Sequence, residues 1–242
     1  MAEVHRVEGV YVGTSGWVYD WNQGGDFRWY ARYSRLNAVE LNASFYRFPY
    51  PSQVASWARR GSGLRWSVKV HRSITHYSRL GAKALEIWDR FKALFKPLEP
   101  YIDFYLFQLP PSYRCDGRGV SRLRDFAASV NLGRRFAVEF RHPSCFTRGL
   151  AELCRELGVT MVSVDSPEAR WLVNTSGWLY LRMHGRDVWY AYEYSPEELE
   201  EVAQSILRIE SPPERIYVFF NNNHWMLENA RYMLLLLKKL FT

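Results

Sequence analysis

Long hydrophobic runs are missing from this 242-residue chain. The longest, Tyr232 to Leu237, falls far short of the ~20 residues a membrane-spanning helix needs. No membrane partner is therefore expected. Cysteine is scarce: Cys115, Cys145 and Cys154 form no C-x-x-C pair and no framework spacing. Such a count suits reduced thiols in a reducing cytoplasm, with Cys145 and Cys154 packing as small apolar groups. Met1 to Val10 carries Glu3, His5, Arg6 and Glu8 and no apolar leader core, which also suits a cytoplasmic chain. No G-x-G-x-x-G or G-x-x-x-x-G-K-[ST] follows any strand-like run, so dinucleotide and P-loop readings lack their key feature. H-E-x-x-H and H-x-x-x-H are absent, no metal site is assigned and no cofactor is named. No low-complexity segment and no block of Lys or Arg occurs.

Aromatic residues, by contrast, are plentiful: 17% of the chain, with 10 Trp and 16 Tyr. They serve either a core rich in rings or a pocket that stacks on sugars or bases. The net charge of +7 favours anionic partners, nucleic acid among them, although the basic residues are dispersed.

Eight short runs have the length and composition of buried strands: Val10–Thr14, Ala38–Asn42, Leu64–Val70, Phe104–Gln108, Phe136–Phe140, Val159–Val164, Trp178–Met183 and Ile216–Phe220. Helical patterns lie between them, at Phe27–Arg35, Pro51–Arg60, Leu80–Lys96, Ser121–Val130, Thr147–Leu157, a segment opening at Ser195-Pro-Glu-Glu, and Trp225–Leu240. A short helix is expected over Ser166–Asn174. Pro51 sits where a first helical turn tolerates proline, and Ser195 is a good N-cap. Eight strands alternating with helices predict right-handed βαβ units and a (β/α)8 TIM barrel, a single domain over residues 1–242.

In such barrels the site forms at the C-terminal ends of the strands. Here nearly every strand ends in a charged or amide residue: Ser15 and Trp17, Glu40 and Asn42, Lys69 and His71, Gln108, Glu139 with Arg141 and His142, Asp165, Arg182 with His184, and Asn221 with Asn222. Alternation along a strand puts Glu40 with Asn42, Lys69 with His71, Glu139 with Arg141, and Arg182 with His184 on shared faces. Charges buried there must pair with each other or serve a ligand.

Glu40 and Glu139 are candidates for an acid/base pair split by Lys69 and Arg182. Lys69, Arg141 and Arg182 are candidates to hold a phosphate or carboxylate, and Asn221 and Asn222 a hydroxyl or oxyanion. His184 joins the catalytic candidates. A metal site is possible from His71, Glu139, Asp165 and His184. Lys69 qualifies as a Schiff-base lysine only where burial or a cationic neighbour keeps it unprotonated. Trp17 and Tyr46 are read as pocket walls and Trp57 as core.

These same stretches resemble the YecE-like family, a domain of unknown function. The resemblance rests on Gly13-Thr-Ser-Gly-Trp17, Val39-Glu-Leu-Asn42, Ser44-Phe-Tyr-Arg-Phe-Pro49, Lys69 with Ile74-Thr-His76, Gln108-Leu-Pro-Pro-Ser112, Ala137-Val-Glu-Phe-Arg-His142, Tyr180-Leu-Arg-Met-His-Gly185 and Phe220-Asn-Asn222, in order along almost the whole chain. It implies a TIM barrel with a deep cleft, and it adds Arg47 and His76 to Tyr46, Gln108, His142 and the residues above as substrate-binding candidates. It supplies no reaction. The chain departs from the family pattern at Cys145, where Trp is usual, and at Asn223–Met226, which implies reshaped loops after strands five and eight. Three functions stay open: an enzyme acting on a small anionic or phosphate-bearing substrate, a metal-assisted phosphodiesterase on nucleic acid, and a non-catalytic ligand-binding barrel.

Overall fold

A computed structural model describes residues 7–241. Most of the segment read as lacking a leader, Met1–Arg6, lies outside them. The order of elements is β1 (Gly9–Thr14), α1 (Phe27–Tyr33), β2 (Ala38–Leu41), α2 (Pro51–Arg60), β3 (Arg65–Lys69), α3 (Lys83–Leu94), β4 (Ile102–Gln108), α4 (Gly117–Val130), β5 (Phe136–Glu139), α5 (Arg148–Glu156), β6 (Thr160–Met161), β7 (Ser163–Asp165), β8 (Arg170–Trp171), β9 (Trp178–Met183), α6 (Pro196–Leu207), β10 (Arg215–Phe220) and α7 (Met226–Phe241).

The differences from expectation have local causes. Helix α3 starts at Lys83 rather than Leu80 because Arg79 and Leu80 both adopt positive φ, +48° and +56°, which no right-handed helix contains. Helix α4 starts at Gly117 because the Asp116 carboxylate caps it, accepting from the Gly119 amide at 3.0 Å. The helix expected over Ser166–Asn174 is absent. That segment doubles back as β8, antiparallel to β7. The sixth run is two pieces, β6 and β7, on either side of Val162. Cys115 and Cys145 are not free thiols: they form a disulfide that ties the loop after β4 to the loop after β5. With no motif and 30 residues between them, only the folded chain brings them together. Cysteine usage therefore lends no support to a reducing compartment. Cys154 is a free, buried thiol, pushed up to about 12 by burial. No helix among the described residues is long and apolar enough to cross a membrane.

The strands form two five-stranded sheets, in the orders β1-β10-β9-β7-β8 and β2-β3-β4-β5-β6, parallel throughout except for β8. The sheets meet at two places. Along residues 160–165 one stretch of chain serves both, β6 pairing with β5 and β7 with β9. At β1 and β2 the backbone pairing among the described residues is an isolated parallel bridge, Ser15 to Glu40. Side chains complete that junction. Asn37 accepts from the Val12 amide at 2.8 Å and donates to the Val10 carbonyl at 2.7 Å. The Tyr30 hydroxyl accepts from the Thr14 amide at 3.2 Å and donates to the Ala38 carbonyl at 2.8 Å. A Cβ on Gly13 would lie 2.3 Å from the Ala38 carbonyl oxygen, so glycine is required for this approach.

Alternation along the strands separates two cores. Phe104, Leu106, Ala137, Val162, Val164, Tyr180, Tyr217 and Phe219 form one cluster. Their sequence neighbours, among them Tyr105, Phe107, Val138, Leu181 and Val218, join the larger cluster with the helices. The residues continuing the first face toward the strand C-termini are Glu40, Lys69, Glu139, Arg182 and His184, and all are buried.

Candidate functional site

Arg182 is the centre of this layer and is fully buried. Its guanidinium grips Glu40 with two bonds, Nη2 to Oε1 at 2.6 Å and Nε to Oε2 at 2.9 Å. Nη1 bonds Glu139 Oε2. Burial lowers its pKa, but the two carboxylates outweigh burial and hold it above the ordinary value. The rest of each carboxylate is also occupied. Glu40 accepts from the Ser15 hydroxyl and from the Tyr180 hydroxyl, the latter at 2.6 Å. Tyr180 in turn bonds Ser67 at 2.7 Å. Glu139 Oε1 pairs with Arg141 Nη2 and lies 3.2 Å from His184 Nε2. Burial pushes Glu139 upward, yet Arg141, Arg182 and His184 more than reverse this and leave it well below the usual carboxylate range. It is an anion at neutral pH.

His184 is neutral. Burial, then Arg141 and Arg182, drive its pKa well below the ordinary value. Nε2 lies between Glu139 Oε1 at 3.2 Å, which only accepts, and Arg141 Nη2 at 3.1 Å, which only donates. Nδ1 lies 3.4 Å from the Asn221 amide nitrogen. Trp189, in the loop after β9, covers the pair: its ring lies 5.2 Å from the His184 ring and 4.3 Å from the Arg141 guanidinium.

Lys69 stands apart. It is 6% exposed, and its ammonium makes no hydrogen bond or ion pair with the described residues, resting instead 4.4 Å above the Phe45 ring. Burial, and secondarily Arg182, bring its pKa down to about 7 against the opposing pull of Glu139 and Glu40. His76 follows in a single π turn, Ser73–Tyr77, with its ring edge-on to Phe45 at 4.9 Å. Burial and the nearby charges of Lys69, Arg141, Arg72 and Arg79 lower it to about 4, so it too is neutral. Three buried polar atoms at this end of the strands have no partner among the described residues: Arg141 Nε, Asn42 Oδ1 and Asn222 Oδ1.

The structure thus brings together Glu40, Lys69, Glu139, Arg141, Arg182, His184 and Asn221, with His76 beside them. Other candidates lie elsewhere. Trp17 is no pocket wall: it packs in an aromatic core, 4.8 Å from Phe27 and 5.6 Å from Trp57. Tyr46 is exposed, edge-on to Phe45, and Arg47 is exposed on the same loop. His142 caps a 3-10 turn through Ser144. Asn222 bonds Tyr192 and Asn229, and Gln108 donates to the Leu109 carbonyl. Arg182 is spent on the two glutamates and is not free to clamp an anion. Of the four metal candidates only Glu139 and His184 meet. Asp165 is held by Tyr194 and Arg186, and His71 turns away to Ser73 and Phe48. Among the described residues no group of three or more metal-ligating side chains converges. Trp189 and Tyr19 were not among the sequence candidates. Tyr19 donates to the Ser15 carbonyl at 3.1 Å, and burial followed by Glu40 raises its pKa. Tyr180 shares its alternating face with Arg182 and His184, a signal the sequence does contain.

Fold and site together define an α/β protein of parallel sheets with a buried cluster of charges at its strand C-termini. The chain belongs to the DUF72 family, "Protein of unknown function DUF72", whose pattern matches residues 11–241. It is 26% identical to the UPF0759 protein YunF of Bacillus subtilis (strain 168), over 88% of this chain and 89% of that one. A DUF72 family protein of Thermotoga maritima MSB8 superposes with a TM-score of 0.81 at 28% identity, over 96% of this chain and 99% of that one. One from Enterococcus faecalis V583 superposes with a TM-score of 0.82 at 21% identity, over 95% of each chain.

Proposed function

We propose that the protein is an enzyme that binds a small anionic, phosphate- or carboxylate-bearing substrate at the strand C-termini, in the mouth of one eight-stranded barrel. The two sheets read as halves of that barrel, joined through residues 160–165 and through the Ser15–Glu40 bridge. The observation that carries the reading is an unmet donor in a buried charged layer. Arg141 and Arg182 lie there with two carboxylates, Glu40 and Glu139, and with Lys69. Arg182 is saturated, whereas Arg141 keeps an unpaired buried N–H, and burying such a donor costs about 1–3 kcal/mol unless a ligand meets it. Arg141 is therefore the anion receiver. Because both carboxylates are fully bonded, acid/base work moves from Glu40 and Glu139 to Lys69, whose pKa of about 7 suits proton transfer near neutrality.

The test is thermal unfolding of the protein in phosphate, in simple phosphate esters and in carboxylates, each against chloride at matched ionic strength. An anion at a hundred times its Kd adds about 2.7 kcal/mol of stability. The native protein is expected to gain Tm in this way, and Arg141→Met to lose the gain. If no anion exceeds chloride, the reading is wrong.

A further inference from the structure

A buried lysine that pairs with nothing is an expensive feature, since an ammonium taken from water needs a counter-ion or it surrenders its proton. The charged groups around Lys69 explain why it surrenders it. Glu40 on β2 and Glu139 on β5 face it, but both are committed to Arg182, with Arg141 adding to the claim on Glu139. Arg182 on β9 and Arg141 beyond β5 repel a proton on its amine. His76 on the π turn is itself neutral. Phe45 supports the amine from one side and offers it no hydrogen bond. The backbone of Lys69 is anchored by its pairing with Leu106 on β4 and by the Ser44 hydroxyl, which donates to its carbonyl at 2.6 Å. The strand end is thus fixed while the amine keeps a free lone pair.

Resting on the reading above, we infer that Lys69 is a nucleophile and that the substrate is an anionic aldehyde or ketone, its anionic group on Arg141 and its carbonyl carbon at Lys69 Nζ. The amine lone pair attacks the carbonyl carbon, a C–N bond forms, and the π pair moves to oxygen, which takes up a proton. The carbinolamine then expels that oxygen as water while nitrogen gives up a proton, leaving an imine. One carbonyl and one amine give one imine and one water, with no oxidant or reductant. The imine withdraws electrons from the adjacent carbon, the usual preparation for breaking a bond to it.

The test exploits the small number of lysines. The other five, Lys83, Lys92, Lys96, Lys238 and Lys239, serve as internal references on the same chain. The whole protein is incubated with glyoxylate or pyridoxal 5′-phosphate, reduced with cyanoborohydride, and mapped by peptide mass spectrometry across pH. At pH 7 an ordinary lysine holds roughly a thousandfold less free amine than one that titrates there. The expected result is dominant labelling of Lys69, half-maximal near pH 7, suppressed by inorganic phosphate and absent from Lys69→Met. Labelling of Lys69 that rises only with the other lysines near pH 10 overturns the inference, and the wild-type profile decides this even if the variant folds poorly. Phosphate binding retained with no Lys69 adduct defeats the inference and leaves the anion site standing. Loss of both defeats the reading beneath it.

Discussion

Replacing Arg182 by Met isolates the electrostatics of the strand-end layer. Met fills much of the same volume but removes two bonds to Glu40 and one to Glu139. The two carboxylates respond differently. Glu139 keeps Arg141 and His184, whereas Glu40 keeps the hydroxyls of Ser15 and Tyr180 and has no cation bonded to it. Stranding one partner of a buried ion pair costs about 3–5 kcal/mol. For a chain of this size that is roughly 6–20 °C of Tm. The pH dependence has a definite sign. In the native protein Glu139 is depressed, so its contribution is present at neutral pH and is lost as pH falls through the folded value. In the variant Glu40 is a fully buried carboxylate without a bonded cation, and burial penalises its charged form. Acidification that neutralises it relieves this penalty. Urea unfolding at pH 7 and pH 5 should therefore show the gap between the two proteins narrowing on acidification. Adding Glu40→Gln to Arg182→Met should recover much of the loss at pH 7. A gap under about 1 kcal/mol, or one that does not change with pH, refutes the description of Arg182 as the neutralising centre.

Two further outcomes concern the scaffold. The Cys115–Cys145 bond closes a loop with a sequence separation of 30, so its reduction should cost roughly 3.6 kcal/mol, read as a lower urea midpoint in dithiothreitol that Cys154→Ser does not reproduce. Gly13→Ala would place a Cβ 2.3 Å from the Ala38 carbonyl oxygen. It should destabilise by about 3 kcal/mol or more, and a variant that melts with the native protein would mean that β1 and β2 do not approach so closely.

How much of this was legible depends on the range of the signal. Alternation along single strands is local. It correctly grouped Glu139 with Arg141 and Arg182 with His184, because each pair stays on one face through the end of its strand. It failed at His71, where the chain leaves β3 and turns the ring onto Phe48. Partner choice was not legible. Nothing in the sequence says that Arg182 serves Glu40 and Glu139 and leaves Lys69 alone, since that depends on strands far apart in the chain. Trp17 misled because an aromatic beside a strand end looks the same whether it faces a mouth or three other rings. The disulfide and Trp189 were invisible for a related reason: each acts across two loops whose approach only the fold fixes.

The junction of β1 with β2 has a consequence for how the molecule moves. Elsewhere in the sheets, separating neighbours means breaking a run of backbone bonds together. Here Asn37 and Tyr30 hold the strands through rotatable side chains, at Val12 and Thr14 on one strand and at Ala38 on the other. Opening this edge takes two rotamer changes and the loss of the short backbone bridge at Ser15 and Glu40, where the Gly16 amide donates to the Glu40 carbonyl at 2.8 Å. The latch lies directly beneath Ser15 and Glu40, the first contacts of the charged layer. Amide exchange at Val12 and Thr14 is the measurement that reads how firmly the Asn37 and Tyr30 side chains hold this edge.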